Sequence, residues 1–169
     1  MCNSIIFDEL FWEIIHQTRK ENNQDILKQK ELLEKIITKL DLQQITLFHF
    51  RFAQLRLQAY RWNIYLAFEI ITERNDEDDF YNFREWLIMQ GKDNYYSILR
   101  DPDLLVTSDK KDILLGINLI ETIGFLPEKI LTPNQRKRFI QYLSEIPGDD
   151  WAGERNERIT LPNLWKKYN

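Results

Sequence analysis

Apolar residues recur three or four apart along this chain, most densely between Tyr60 and Gly91. Ile64, Ala67, Phe68 and Ile71, widened by Trp62, Tyr65, Leu66 and Ile70, form one broad helical face. Asn75-Asp76-Glu77-Asp78-Asp79 interrupts that face. Short acidic side chains accept from free backbone N–H groups and suit the positive end of a helix dipole, so Asp78 or Asp79 is expected to cap a following helix. Phe80, Phe83, Trp86, Leu87 and Met89 continue it, and Gly91 is expected as its left-handed stop. The spacing therefore predicts a helical hairpin around which the remaining segments pack.

The same spacing extends outward. Ser4 is expected to start a helix that runs to about Lys20, with Ile6, Leu10, Phe11, Ile14 and Ile15 inward. A second helix carries Leu32, Leu33, Ile36, Ile37 and Leu40. Asp41 followed by Gln44 is a capping-box pattern opening a third helix with Leu42, Ile45, Phe48, Phe52 and Leu55 inward. With no Pro or Gly near Gln58, the sequence leaves open whether this helix bends before Tyr60. A short helix from Tyr95 to Leu99 ends ahead of Pro102, and Asp103 to Val106 makes one more turn. Ser108 or Asp109 caps a helix with Ile113, Leu114, Ile117, Ile120 and Ile123 inward, which Gly124 stops. Thr132-Pro133-Asn134-Gln135 starts another, holding Phe139, Ile140 and Leu143 and ending before Pro147. From Gly148 the chain reads as an irregular tail, with Trp151, Leu161, Leu164 and Trp165 as anchors.

Composition agrees. Hydrophobic residues at 43% support a core, and only 5 Gly and 5 Pro disfavour a fold built on many tight turns. The expectation is a single all-α domain over residues 1–169, a bundle of about seven helices with the tail at 148–169 docked on it. The net charge is −4, which does not suit bulk attraction to nucleic acid. One cysteine, Cys2, allows no internal disulfide, and the acidic N-terminal stretch does not read as a signal peptide. No apolar run has the length of a membrane span. A cytoplasmic location is expected.

The run AYRWNIYLAFEII…DDFYNFREWLIMQG resembles the central signature of a bacterial family known as Domain of Unknown Function 4240. Phe11-Trp12, Asp101-Pro102-Asp103 with Leu105, Pro147-Gly148-Asp149-Asp150-Trp151 and Leu161-Pro162 with Leu164-Trp165 extend the match. The resemblance implies an all-helical protein of a bacterial cytoplasm. It implies no activity, and hence no catalytic residues.

Each chemically suggestive residue has a plainer reading beside it. Glu13 and His16 lie one helical turn apart, yet nothing near them completes a metal site. His49 sits between Phe48 and Phe50. The acidic run Asp76–Asp79 lacks the spacing and central Gly of a calcium loop, so capping explains it. Arg84, between Phe83 and Trp86, and Arg61, beside Trp62, set guanidinium groups among aromatics, as a pocket for an anion or a partner carboxylate would. The plainer reading, which we favour, pairs Arg84 with Asp78 or Asp79 across the hairpin. Trp12 and Trp86 read as core. Arg136-Lys137-Arg138 reads as a solvated face.

No phosphate loop, nucleophile elbow, CxxC pair or HExxH pattern is present. We therefore expect no cofactor, no metal and no catalytic set. The expected function is that of a non-enzymatic binding or interaction module, regulatory or immunity-type, with a protein partner and neither nucleic acid nor membrane. The alternative is a small-anion receptor or enzyme whose pocket uses Arg61, Trp62, Asp78, Asp79, Arg84 and Trp86.

Overall fold

The computed structural model describes residues 2–21, 25–120, 132–134, 137 and 160–169, with only the backbone of 2–7 and 42. Among them the protein is all-α: α1 (Cys2–Glu21), α2 (Ile26–Ile37), α3 (Leu42–Gln58), α4 (Trp62–Thr72), α5 (Glu77–Met89), α6 (Lys92–Arg100), a 310 helix (Pro102–Thr107), α7 (Lys110–Ile120) and α8 (Pro162–Tyr168). The expectations at Ile123, Gly124, Phe139, Ile140, Leu143, Pro147 and Trp151, and at Arg136 and Arg138, lie outside the described residues. Thr132 is not helical while Pro133 and Asn134 are, as expected for Pro at a first helical position.

α5 is the centre of the packing, touching α3, α4, α6 and α7. Phe80, Phe83, Leu87, Ile88 and Met89 are at most 1% exposed. From Phe83 to Met89 every residue of the helix is buried, Arg84 and Glu85 among them. Its longest contact is with α7, where Gly116 lets the helices close up. A Cβ on Gly116 would lie 2.1 Å from Trp86 Cδ1, so the indole occupies the space a side chain would need.

Several boundaries differ from the sequence reading. α1 already runs from Cys2, so Ser4 lies inside it. The cap of α5 is Asp76, whose carboxylate accepts from the N–H groups of Asp78 and Asp79 (2.9 and 3.1 Å), while those two residues form the first turn. Gly91 does take a positive φ (89°), but with ψ 164° it is extended and serves as N-cap of α6. The left-handed stop is Glu73, closing α4 at φ 58° and ψ 29°. α6 is longer than expected, and Asp109, accepting from Lys111 N at 2.7 Å, starts α7. The Asp41–Gln44 capping box is present in both directions.

Residues 162–168, expected to be irregular, are helical. Leu161 and Leu164 are fully buried, and α8 rests on the 310 helix and α4. Its N-terminus is capped from elsewhere in the chain. The buried Asp103 carboxylate accepts from Asn163 N (2.9 Å), Asn163 Nδ2 (2.6 Å) and Leu164 N (2.8 Å). An anion at a helix N-terminus satisfies amides that have no partner within the helix.

Candidate functional site

Arg84 and Arg61 meet at the C-terminal end of α3, where Leu55 O still accepts from Ala59 N at 3.1 Å and the later carbonyls turn to partners beyond the helix. Leu55 O accepts from the Tyr95 hydroxyl at 2.5 Å, Arg56 O from Arg84 Nη1 at 3.4 Å, Leu57 O from Tyr60 N at 3.0 Å and Gln58 O from Arg61 Nε at 2.8 Å. This full set of partners explains why α3 stops at Gln58 without Pro or Gly. Two guanidinium groups also suit the negative end of the helix dipole.

Arg84 is buried and lies 4.7 Å from the Phe80 ring centre, 4.8 Å from that of Tyr60 and 5.6 Å from that of Tyr81. Burial, then the charge of Arg56, lowers its pKa to about 10, so it remains a cation at neutral pH. The expected pairing with Asp78 or Asp79 is replaced. Asp79 pairs with Arg74 (3.0 Å) across the α4–α5 turn, and Asp78 is exposed.

Beside Arg84 a second arginine is engaged more tightly. Arg56 binds Glu85, which is fully buried, at 2.7 Å, and lies 4.1 Å over the Tyr81 ring. Burial first, with the nearby Glu85 opposing Arg56, raises the Tyr81 pKa to about 12. His49, on the same helix as Arg56, is 3% exposed. Burial and then the Arg56 charge push its pKa down to about 3, so the imidazole is neutral and stacks edge-on with Phe48.

Of the six residues singled out from the sequence, Arg61, Trp62 and Arg84 thus gather at the end of α3. Asp78 and Asp79 lie in the first turn of α5. Trp86 faces α7, stacked on Phe83 at 5.7 Å.

Two clefts are lined by described residues on both sides. The larger, about 1020 Å3, is an open trough. One wall is a face of α1, with Glu9, Trp12, Glu13, His16, Gln17 and Lys20, and the other is the α5–α6 turn, Gln90 to Asn94. The smaller, about 770 Å3, lies between α2, Trp86 and the start of α7. Arg19 and Gln90 belong to both, and Arg19 Nη1 donates to Gln90 Oε1 between them. Sequence reasoning found Glu13 and His16 but missed the rest of this face. Its signal is the polar series at 9, 13, 16, 17 and 20, one side of a helix. No group of three or more His, Cys, Asp or Glu among the described residues is arranged to hold a metal ion. Among them no helix is long and apolar enough to cross a membrane.

Fold and surface together define an all-α protein built on a central helical hairpin, with a polar trough beside its first helix. The chain belongs to the family described as "Protein of unknown function (DUF4240)", which it matches over residues 8–124, a span that includes both walls of the trough. No curated protein and no solved structure matches the chain.

Proposed function

We propose that the protein is a non-enzymatic binding module that takes an extended segment of a partner protein into the trough beside α1. The observation that carries this reading is the shape and chemistry of that trough. From Glu9 to Lys20 the α1 wall is three helical turns, about 16 Å long, which matches about five residues of extended chain. Its lining sets Glu9, Glu13 and Asp93 against Arg19, Lys20 and Lys92, with Trp12 between. The amide nitrogens of Gln17 and Asn94 already donate to Glu21 Oε1 and Gln90 O, which leaves their side-chain oxygens to accept from backbone N–H groups of such a segment. A module that occupies a partner in this way acts as a regulator or blocker. The bacterial, cytoplasmic setting rests on the family resemblance.

The test is a photo-crosslinking residue placed at His16, in the trough, or at the exposed Glu31 of α2, in protein incubated with native lysate. The reading expects a discrete adduct from position 16 only, reduced at least about tenfold by the added charge reversal Glu13→Lys. Equal labelling from both positions, or none from either, refutes it.

A further inference from the structure

Along α1 the trough separates its charges. Glu9 and Glu13 lie toward one end of the wall, Arg19 and Lys20 stand at the other, and His16 and Gln17 fall between. Like charges four apart on a helix repel, and a lysine at position 17 would relieve Glu13. Gln17 stands there instead and donates to Glu21 Oε1 at 2.9 Å. The side chains of Glu9, Glu13 and Lys20 are exposed and make no hydrogen bond or ion pair among the described residues. The helix dipole accounts for Arg19 and Lys20, which stand in the last turn. It does not account for Glu9 and Glu13, about two and three turns from the start, because the effect fades within the first turn.

The opposite wall does not cancel this separation. Lys92 reaches across toward the acidic end, but it pairs there with Asp8 at 3.3 Å, and Asp8 also pairs with Arg51 at 2.6 Å. Asp93, next to Lys92 in the chain, adds a further carboxylate to that wall. At the basic end Arg19 is tied to Gln90 by a hydrogen bond, which leaves Lys20 as the exposed cation.

We propose that the partner segment carries a cationic side chain for Glu9 and Glu13 and a carboxylate for Lys20, about four residues apart in an extended chain. The inference rests on the trough reading and names the chemistry of what enters. From the midpoint of Glu9 and Glu13 to Lys20 is about nine helical residues, or about 13 Å, the length of about four extended residues. Side chains four apart on a strand point to the same side, so both charges face the α1 wall together. A segment with charges of one sign meets repulsion at one end. Complementary charge of this kind selects the partner and fixes its register more than it raises affinity.

The experiment is an amide NMR titration of the full chain with extended peptides of about seven residues, acetylated and amidated so that only two side chains are charged. They carry Lys-x-x-x-Glu, Glu-x-x-x-Glu, Lys-x-x-x-Lys, or Lys and Glu adjacent, with Thr at the other positions to favour an extended chain. The α1 cross-peaks from Glu9 to Lys20 are expected to move with Lys-x-x-x-Glu at a midpoint of about 1 mM, and at a midpoint at least about threefold higher with each of the others. Glu9→Lys joined to Glu13→Lys transfers the preference to Glu-x-x-x-Glu, and Lys20→Glu transfers it to Lys-x-x-x-Lys. All three side chains are exposed, so these variants keep the fold. The charge pattern is overturned if no peptide moves the peaks, if the midpoints agree, or if the preference does not change in the variants. A positive His16 crosslink without any peptide preference removes the charge pattern and leaves the trough, whereas a preference that switches as expected without a crosslink does the reverse.

Discussion

Asp103→Ala removes one carboxylate and three hydrogen bonds at once, and all three end on α8. Two of the donors are backbone amides that α8 cannot satisfy itself. At about 1 kcal/mol for each hydrogen bond, a charged acceptor and three donors are worth about 3 kcal/mol of docking. That corresponds to a factor of about 150 in the docked-to-undocked ratio. Leu161 and Leu164 still favour docking, so α8 opens more often without being lost. Native-state hydrogen exchange is the direct assay. The amides of Trp165 and Asn169, which donate to Leu161 O and Trp165 O, are expected to lose about a hundredfold in protection. Amides in α5 and α7 keep theirs. Asp103→Asn retains an acceptor but loses the charge, and falls between the two. The reasoning is refuted if α8 exchange does not change, or if α5 loses as much protection as α8, because the carboxylate would then hold the whole core.

Three further perturbations probe the centre. Gly116→Ala places a methyl group against the Trp86 indole; overpacking of about 1–3 kcal/mol outweighs the helix-propensity gain of about 1 kcal/mol, so the melting temperature falls and Trp emission changes. His49 has its folded pKa pushed down to about 3 against 6.5 unfolded, so its stabilising contribution is complete above 6.5 and is lost as pH falls from there toward 3. Between pH 7 and 5 the loss is about 2 kcal/mol in urea unfolding, and His49→Leu should lack that component. Glu85→Ala leaves the Arg56 charge without its partner and costs about 3–5 kcal/mol, whereas the joint change Arg56→Met with Glu85→Leu recovers most of it in urea denaturation.

What the sequence reveals depends on how far apart the deciding residues lie. Asp41 and Gln44 settle the start of α3 between themselves, three residues apart, and that boundary is readable by inspection. At the start of α5 four acidic residues compete locally. Asp76 takes the cap while Asp79 pairs with Arg74, beside a left-handed Glu73 that no pattern announces. The end of α3 is harder still. Its last carbonyls are met by Arg61 close by, but also by Arg84, 28 residues from the carbonyl it reaches. A helix can be stopped by distant donors as well as by Pro or Gly, and periodicity contains no trace of them.

The same distance explains why the attractive residues and the open surface do not coincide. An arginine among aromatics looks the same in sequence whether it awaits a ligand or completes a helix end. Arg84 has carbonyls and rings for partners, so its environment is accounted for within the fold. At Gly91 the order is reversed. A glycine ending an aromatic helix reads as a stop signal, yet the structure makes it the start of the next helix and leaves three donors without a cap. Of the trough only Glu13 and His16 are picked out from the sequence, and the opposing wall is 71 residues away at the Arg19–Gln90 contact. Where long-range contacts already satisfy a polar group, a structural role suffices. Where the chain sets charged and polar side chains along an open trough, as between α1 and the α5–α6 turn, the surface has a place for a partner that the buried arginines lack.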